Sequence, residues 1–159
     1  MNRSLVPRPA AAPGLGETMN VSQYMTAKLH TAHPSEGVRQ VFFRMREHGV
    51  RHLPVVDDNR RLVGFITDRD IRRPDWVDEA IDVAHAYRLD DDLEVADLMT
   101  TNVMAVQASD SLKKAVAIFL DRRYGALPVQ DKNGELVGIL SAIDLVKALS
   151  DLLPLAAEE

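Results

Sequence analysis

Leu53-Pro54-Val55-Val56-Asp57, followed by Leu62-Val63-Gly64-Phe65-Ile66-Thr67-Asp68-Arg69-Asp70-Ile71, decides the fold, because the chain repeats both stretches. The first returns as Leu127-Pro128-Val129-Gln130-Asp131, the second as Leu136-Val137-Gly138-Ile139-Leu140-Ser141-Ala142-Ile143-Asp144-Leu145. The offset is a constant 74 positions: Pro54 answers to Pro128, Gly64 to Gly138 and Asp70 to Asp144. Further out, Met25-Thr26 returns as Met99-Thr100, and the register holds without a gap from Val21/Val95 to Ile71/Leu145. Repetition at a fixed period marks one supersecondary unit used twice. Two such halves packed face to face enclose two equivalent clefts.

Each copy reads as β-α-β-β-α, an α/β (α+β) unit. Short stretches open the copies, Val21 to Thr26 and Val95 to Thr100, and extended pieces follow, Leu29 to Ala32 and Val103 to Val106. Val38, Val41, Phe42 and Met45 then fall at helical spacing, as do Leu112, Ala115, Val116 and Phe119. Ser35 and Ser109 are the expected N-caps. Gly49 suits the left-handed residue that ends a helix, and Gly125 lies past the end of the second one. Strands are expected at His52 to Val56 and Leu62 to Ile66, and again at Ala126 to Gln130 and Leu136 to Leu140. The second pair flanks Asn133-Gly134, a strong hairpin signal. The strands are almost continuously apolar, so both faces of each sheet should be covered. Closing helices are expected from Asp68 and from Ala142.

The chain thus divides into a flexible tail at 1–18, a first repeat at 19–73, a linker at 74–93, a second repeat at 94–153 and a short tail at 154–159. Trp76, Ala80, Val83 and Tyr87 share one helical face, so the linker should carry an extra helix, and the acidic run Asp90-Asp91-Asp92 reads as a solvated loop.

The composition narrows the function. A net charge of −5 offers no field for nucleic acid or an anionic membrane. With one Trp, three Tyr and four Phe there is no stacking platform for single strands either. The absence of cysteine excludes disulfides and thiolate metal sites and is compatible with a cytoplasmic location. No apolar run approaches the ~20 residues needed to span a bilayer.

The motif richest in chemistry is Gly-apolar-apolar-Thr/Ser-x-x-Asp at the junction of the second strand and the closing helix. It occurs at Gly64 to Asp70 and at Gly138 to Asp144. One reading is a capping box, in which hydroxyl and carboxylate satisfy the first helical amides. The other uses the same physics on a ligand. A helix start attracts an anion such as phosphate. Thr67 or Ser141 adds a donor to it, and Asp70 or Asp144 accepts from a ribose diol. Phe65 or Ile139 flanks a purine, while Gly64 and Gly138 admit close approach of backbone. Ahead of the first Leu-Pro stand Arg51 and His52. Arg51 can clamp a phosphate, and the repeat context favours ligand contact for it; His52 can add a hydrogen bond but on its own reads more readily as a partly buried strand residue.

The repeated pattern resembles a tandem pair of CBS domains, also called a Bateman module, over Val21 to Leu149. The carrying residues are Met25-Thr26, His52 to Asp57, Gly64 to Asp70 and their partners 74 positions on. The resemblance implies two repeats packed through their sheets about a pseudo-twofold axis. It implies clefts that take AMP, ADP, ATP, S-adenosylmethionine or a related adenosine compound. Thr67 with Asp70 then marks one cleft and Ser141 with Asp144 the other, with Arg51 and His52 reaching the phosphate bound near Ser141. The second copy departs from the pattern, since Gly125-Ala126 stands where Arg51-His52 stands in the first. One stronger phosphate site, involving Arg51, and one weaker or empty site are therefore expected.

Nothing assembles for catalysis: there is no nucleophile elbow and no His-Glu-x-x-His motif. His30 and His33 read as surface or loop residues, and His48 and His85 have no evident partners. The expectation is a stand-alone regulatory module, not an enzyme and with no required cofactor, that signals to a separate protein. The alternative is a dimerisation or scaffold module with degenerate clefts. The resemblance also implies a homodimer joined through helices, here through the faces around Val38-Phe42-Met45 and Leu112-Val116-Phe119.

Overall fold

A computed structural model describes residues 19–72 and 92–153. Apart from Asp92 and Leu93, the linker with its expected helix lies outside these residues, as do both tails. The elements are α1 (Val38–His48), β1 (His52–Val56), β2 (Leu62–Thr67), α2 (Asp68–Arg72), α3 (Val95–Leu98), β3 (Val106–Gln107), α4 (Leu112–Arg122), β4 (Ala126–Gln130), β5 (Leu136–Ser141) and α5 (Ala142–Leu152). A 3₁₀ turn at Val21–Gln23 precedes them.

The 74-residue offset survives into the hydrogen bonding. β1 and β2 pair antiparallel from His52↔Thr67 to Val56↔Leu62, and β4 and β5 reproduce that register from Ala126↔Ser141 to Gln130↔Leu136. Even the irregularity before the last pair recurs. The extended pieces expected upstream are shorter than the sequence suggests. Val106 and Gln107 run parallel to β4, and in the first half the same position is a single bridge, Ala32↔Val55.

Both helix-start expectations need correction by two residues. The residue before α1 is Gly37, with no side-chain cap, while Ser35 bonds the Nδ1 of His33 at 2.8 Å. Before α4 it is Ser111 rather than Ser109, and its hydroxyl accepts from Lys114 N at 3.2 Å. A cap must sit immediately before the first helical residue to reach the free amides. Gly49 ends α1 with φ of 64°, whereas α4 ends on Arg123 in the same left-handed state at 55°.

The two hairpin turns are built alike. Asp57 Oδ1 accepts from the amides of Asn59 and Arg61, and Asp131 Oδ1 from those of Asn133 and Glu135. The left-handed residue is Gly134 in one and Arg60, with φ of 61°, in the other. A side chain there costs about 1–2 kcal/mol, of which glycine's chain entropy returns roughly half. Arg60→Gly is therefore expected to raise stability by about 0.5–1 kcal/mol, read as a melting-temperature gain of about 1–4 °C.

Two apolar cores form, and they do not coincide with the sequence repeats. One gathers Val38, Val41, Met45, Leu53, Val55 and Ile66 with Val95, which opens the second repeat. The other gathers Val106, Ala115, Leu127, Val129 and Leu140 with Val21, which opens the first. The opening segments are exchanged. Val21 N donates to Asp110 O, while Val38 N donates to Leu93 O and Val95 N to Glu36 O, each at 2.9 Å. Thr26 then pairs antiparallel with Ile139, and Thr100 with Phe65, adding one residue to the outer edge of each hairpin.

Candidate functional site

At each β-α junction the hydroxyl-carboxylate pair closes on itself. Thr67 donates to Asp70 Oδ2 from its amide at 2.8 Å and from its hydroxyl at 2.7 Å, and Asp70 N returns a bond to Thr67 Oγ1 at 3.2 Å. Ser141 and Asp144 repeat this at 2.8, 2.7 and 3.3 Å. The capping box is thus built in both copies. The hydroxyl proton is held by the carboxylate, so in this state it is not aimed at a phosphate. The copies differ in depth: Asp144 is only 3% exposed and its Oδ1 takes a bond from Lys147 Nζ at 3.1 Å.

Gly64 and Gly138 do admit close approach, but of the exchanged segments. A β-carbon on Gly64 would stand 2.5 Å from Met99 Sδ and 3.3 Å from Thr100 O; one on Gly138 would stand 2.6 Å from Met25 Sδ and 3.2 Å from Thr26 O. This explains why Met-Thr and Gly recur together. Phe65 and Ile139, the candidate purine-flanking residues, lie beside these contacts, and their backbones are held by Thr100 and Thr26 at 2.9–3.0 Å.

The structure separates Arg51 and His52, which the sequence presents as one basic pair. Arg51 precedes β1, whereas His52 is its first residue. His52 faces the other half: its ring stacks on Phe65 at 6.0 Å between centroids, and a β-carbon on Gly125 would meet its Nε2 at 2.6 Å. Gly125 O in turn accepts from Ala142 N at 3.1 Å, directly after Ser141. His52 is thus brought to the Ser141 junction from across the pseudo-twofold axis. Burial holds its pKa below the ordinary histidine value, against the opposing pull of Asp68 and Asp70, so at neutral pH the ring is uncharged. Arg51 is exposed and lines a cavity with α1 and Asp68. Glycine at 125 is what gives the imidazole room, so the difference between the copies is a complementarity rather than a simple loss of charge.

The remaining histidines have partners that the sequence does not reveal. His30 stacks on His48 with centroids 4.0 Å apart, and His33 Nε2 lies 3.2 Å from Asp58 Oδ1. His85 lies outside the described residues. Among the described residues no three His, Asp or Glu side chains converge as a metal site, and no helix is long and apolar enough to cross a membrane.

A family model described as "CBS domain" matches residues 21–75 and, separately, 95–151. The chain belongs to the CBS domain family. This CBS pair is 34% identical, over 83% of its length and 74% of the relative's, to an uncharacterized 17.7 kDa protein of Acidianus ambivalens. It is 30% identical to the chloroplastic CBS domain-containing protein CBSX2 of Arabidopsis thaliana, over 87% of this chain and 66% of the relative. A crystal structure of CBSX2 in complex with AMP superposes with a TM-score of 0.73 at 30% identity, covering 86% of this chain and 99% of that one. Some relatives are much longer: the chain spans 25% of a homoserine O-acetyltransferase of Methanocorpusculum labreanum at 30% identity.

Proposed function

We propose that this CBS pair is a regulatory module that binds an adenosine-containing ligand in its inter-half clefts and passes its occupancy to a partner protein. The observation that carries this reading is the meeting of His52 from one half with the Ser141–Asp144 junction of the other. That cleft offers a neutral ring stacked on Phe65 and a carboxylate beside a helix start. A purine, a ribose diol and a phosphate need an apolar flank, an acceptor pair and free amides, respectively. The likeness to CBSX2, solved with AMP, supports the same ligand class. The acetyltransferase relatives are matched over a quarter of their length, so their chemistry does not carry over to this module.

The cleft at Thr67–Asp70 is the weaker one, because Ala126 stands there in the place of His52. Titration calorimetry with AMP and with ATP is expected to show one site at least tenfold tighter than any second. Two equal, independent sites would overturn the asymmetry. No heat with any adenosine compound at millimolar concentration would favour the scaffold reading, which the self-satisfied capping boxes support. We place the module in the cytoplasm as a homodimer. The helix faces expected to join it are not available, since Val38, Phe42, Met45, Leu112 and Phe119 are core residues. The exposed Ile143, Val146 and Leu149, three apart along α5, are the better seam.

A further inference from the structure

The seam between the halves carries the same thioether twice. Met25 and Met99 stand 74 positions apart, each near the end of an exchanged opening segment. Met99 packs on the core that holds Val95, and Met25 on the core that holds Val21. Each sulfur rests on a glycine. A β-carbon on Gly64 would lie 2.5 Å from Met99 Sδ and 3.3 Å from Thr100 O, and one on Gly138 would lie 2.6 Å from Met25 Sδ and 3.2 Å from Thr26 O. The nearby amides are already engaged. Those of Met99, Thr100 and Phe65 donate to Val95, Phe65 and Thr100, and those of Met25, Thr26 and Ile139 to Val21, Ile139 and Thr26. Both methionines are half-buried rather than sealed. Met45, by contrast, is sealed in the first core, and Met104 is exposed and belongs to neither core.

We propose that Met25 and Met99 form a paired oxidation site, where hydrogen peroxide converts each thioether to a sulfoxide and loosens the two halves. A sulfur lone pair attacks one peroxide oxygen and the O–O bond breaks. The departing oxygen keeps both electrons of that bond, takes the proton of the transferred oxygen and is released as water. Sulfur is thereby oxidised by two electrons, to S=O. The product is larger and polar, and its oxygen only accepts hydrogen bonds. Between a glycine Cα and a carbonyl oxygen it meets no free amide, and a buried acceptor without a donor is costly. Held in place, the sulfoxide oxygen is set against the carbonyl lone pairs of Thr100 or Thr26. Swung out to water, it uncovers Gly64 or Gly138 and gives up the apolar packing. Either way the Thr26–Ile139 and Thr100–Phe65 pairs lose their support. The site does not depend on the nucleotide reading of the clefts.

The test is a hydrogen peroxide titration of the full chain, with sulfoxides mapped by peptide mass spectrometry and melting and amide exchange measured on the same samples. Met25 and Met99 are expected to oxidise in the folded protein, as exposed Met104 does, while Met45 is spared. The melting temperature should fall by about 2–12 °C in step with oxidation of Met25 and Met99. The amides of Thr26, Phe65, Thr100 and Ile139 should lose protection by about tenfold or more, with Leu53 in the core unchanged. Methionine sulfoxide reductases for both epimers should restore both readings. Leucine roughly conserves the volume of methionine. The double variant Met25→Leu with Met99→Leu should therefore keep its melting temperature under the same peroxide dose, although Met104 is still oxidised. Oxidation of Met25 and Met99 without loss of stability or protection would overturn the proposal. So would an equal loss in the double variant, or sulfurs at 25 and 99 that stay reduced while Met104 is consumed. If the double variant does not fold, two arms on folded protein decide. A loss that the reductases do not reverse, or one that Met104→Leu abolishes, overturns the assignment; a reversible loss that Met104→Leu leaves intact supports it.

Discussion

Gly64→Ala and Gly138→Ala are each expected to lower the melting temperature by about 2–12 °C, from an overpacking cost of about 1–3 kcal/mol. Neither glycine has a positive φ that would forbid alanine, so backbone strain is not the cause. The cause is the exchanged segment. Met99 Sδ and Met25 Sδ occupy the space a β-carbon would take, and a carbonyl oxygen closes the other side at 3.2–3.3 Å. The thioether can swing away, but the backbone of Thr100 or Thr26 cannot, because it is fixed by a pair of hydrogen bonds to Phe65 or Ile139. A double-mutant cycle isolates this contact. Gly64→Ala combined with Met99→Ala should cost at least about 1 kcal/mol less than the two changes summed, since the new methyl enters the space the methionine leaves. Unfolding curves for the four proteins give the coupling. Simple additivity, or a Gly64→Ala protein as stable as the parent, would show that the seam between the halves is not packed as the structure has it.

The same seam shows what the sequence could and could not reveal. The bounds of the hairpin strands β1, β2, β4 and β5, the hairpin turns and the starts of α2 and α5 were legible, because they rest on local signals: apolar runs, Asn133-Gly134, and Thr or Ser three residues before Asp. The exchange of opening segments was not. Val21 and Val95 are equivalent by the repeat, so periodicity cannot say which core either enters; that depends on the path of the chain between the copies. The same limit affected the site. Gly64 and Gly138 read locally as room for close backbone approach and Gly125 as a residue past a helix end, and in the fold each faces one particular side chain: Met99, Met25 and His52. A recurring Met-Thr paired with a recurring Gly was the available signal for the first two. For Gly125 the signal was its place opposite Arg51-His52, which reads as a missing charge until the imidazole is seen resting on it. Arg51 and His52 stand side by side in the sequence, and only the fold shows that Arg51, ahead of β1, lines the cavity at the end of α1 while His52, the first residue of β1, meets Gly125.

Asp144→Ala is expected to destabilise the chain by about 2–3 kcal/mol, or about 4–12 °C. The carboxylate is nearly sealed from water and serves three donors: the amide and hydroxyl of Ser141 and the ammonium of Lys147. Its removal leaves the Ser141 groups without an acceptor at the start of the 11-residue α5. Asp70→Ala should cost about half as much, because Asp70 is less buried than Asp144. Structure and ligand are then separated by Asp144→Asn. The amide oxygen keeps an acceptor for Ser141, so the stability loss should fall to about 1 kcal/mol. A ribose diol, however, loses a charged acceptor, and a hydrogen bond to a charged group contributes about 1.5–3 kcal/mol. AMP affinity should therefore drop roughly 10- to 100-fold in a protein that is still folded at the assay temperature. The matching change Asp70→Asn should leave the tighter calorimetric site intact. If Asp144→Asn binds AMP as the parent does, the carboxylate is a helix cap and nothing more, and the ligand is held elsewhere. If Asp70→Asn abolishes the tighter site instead, the productive cleft is the one that faces Ala126, and the imidazole resting on Gly125 is a packing element of the seam.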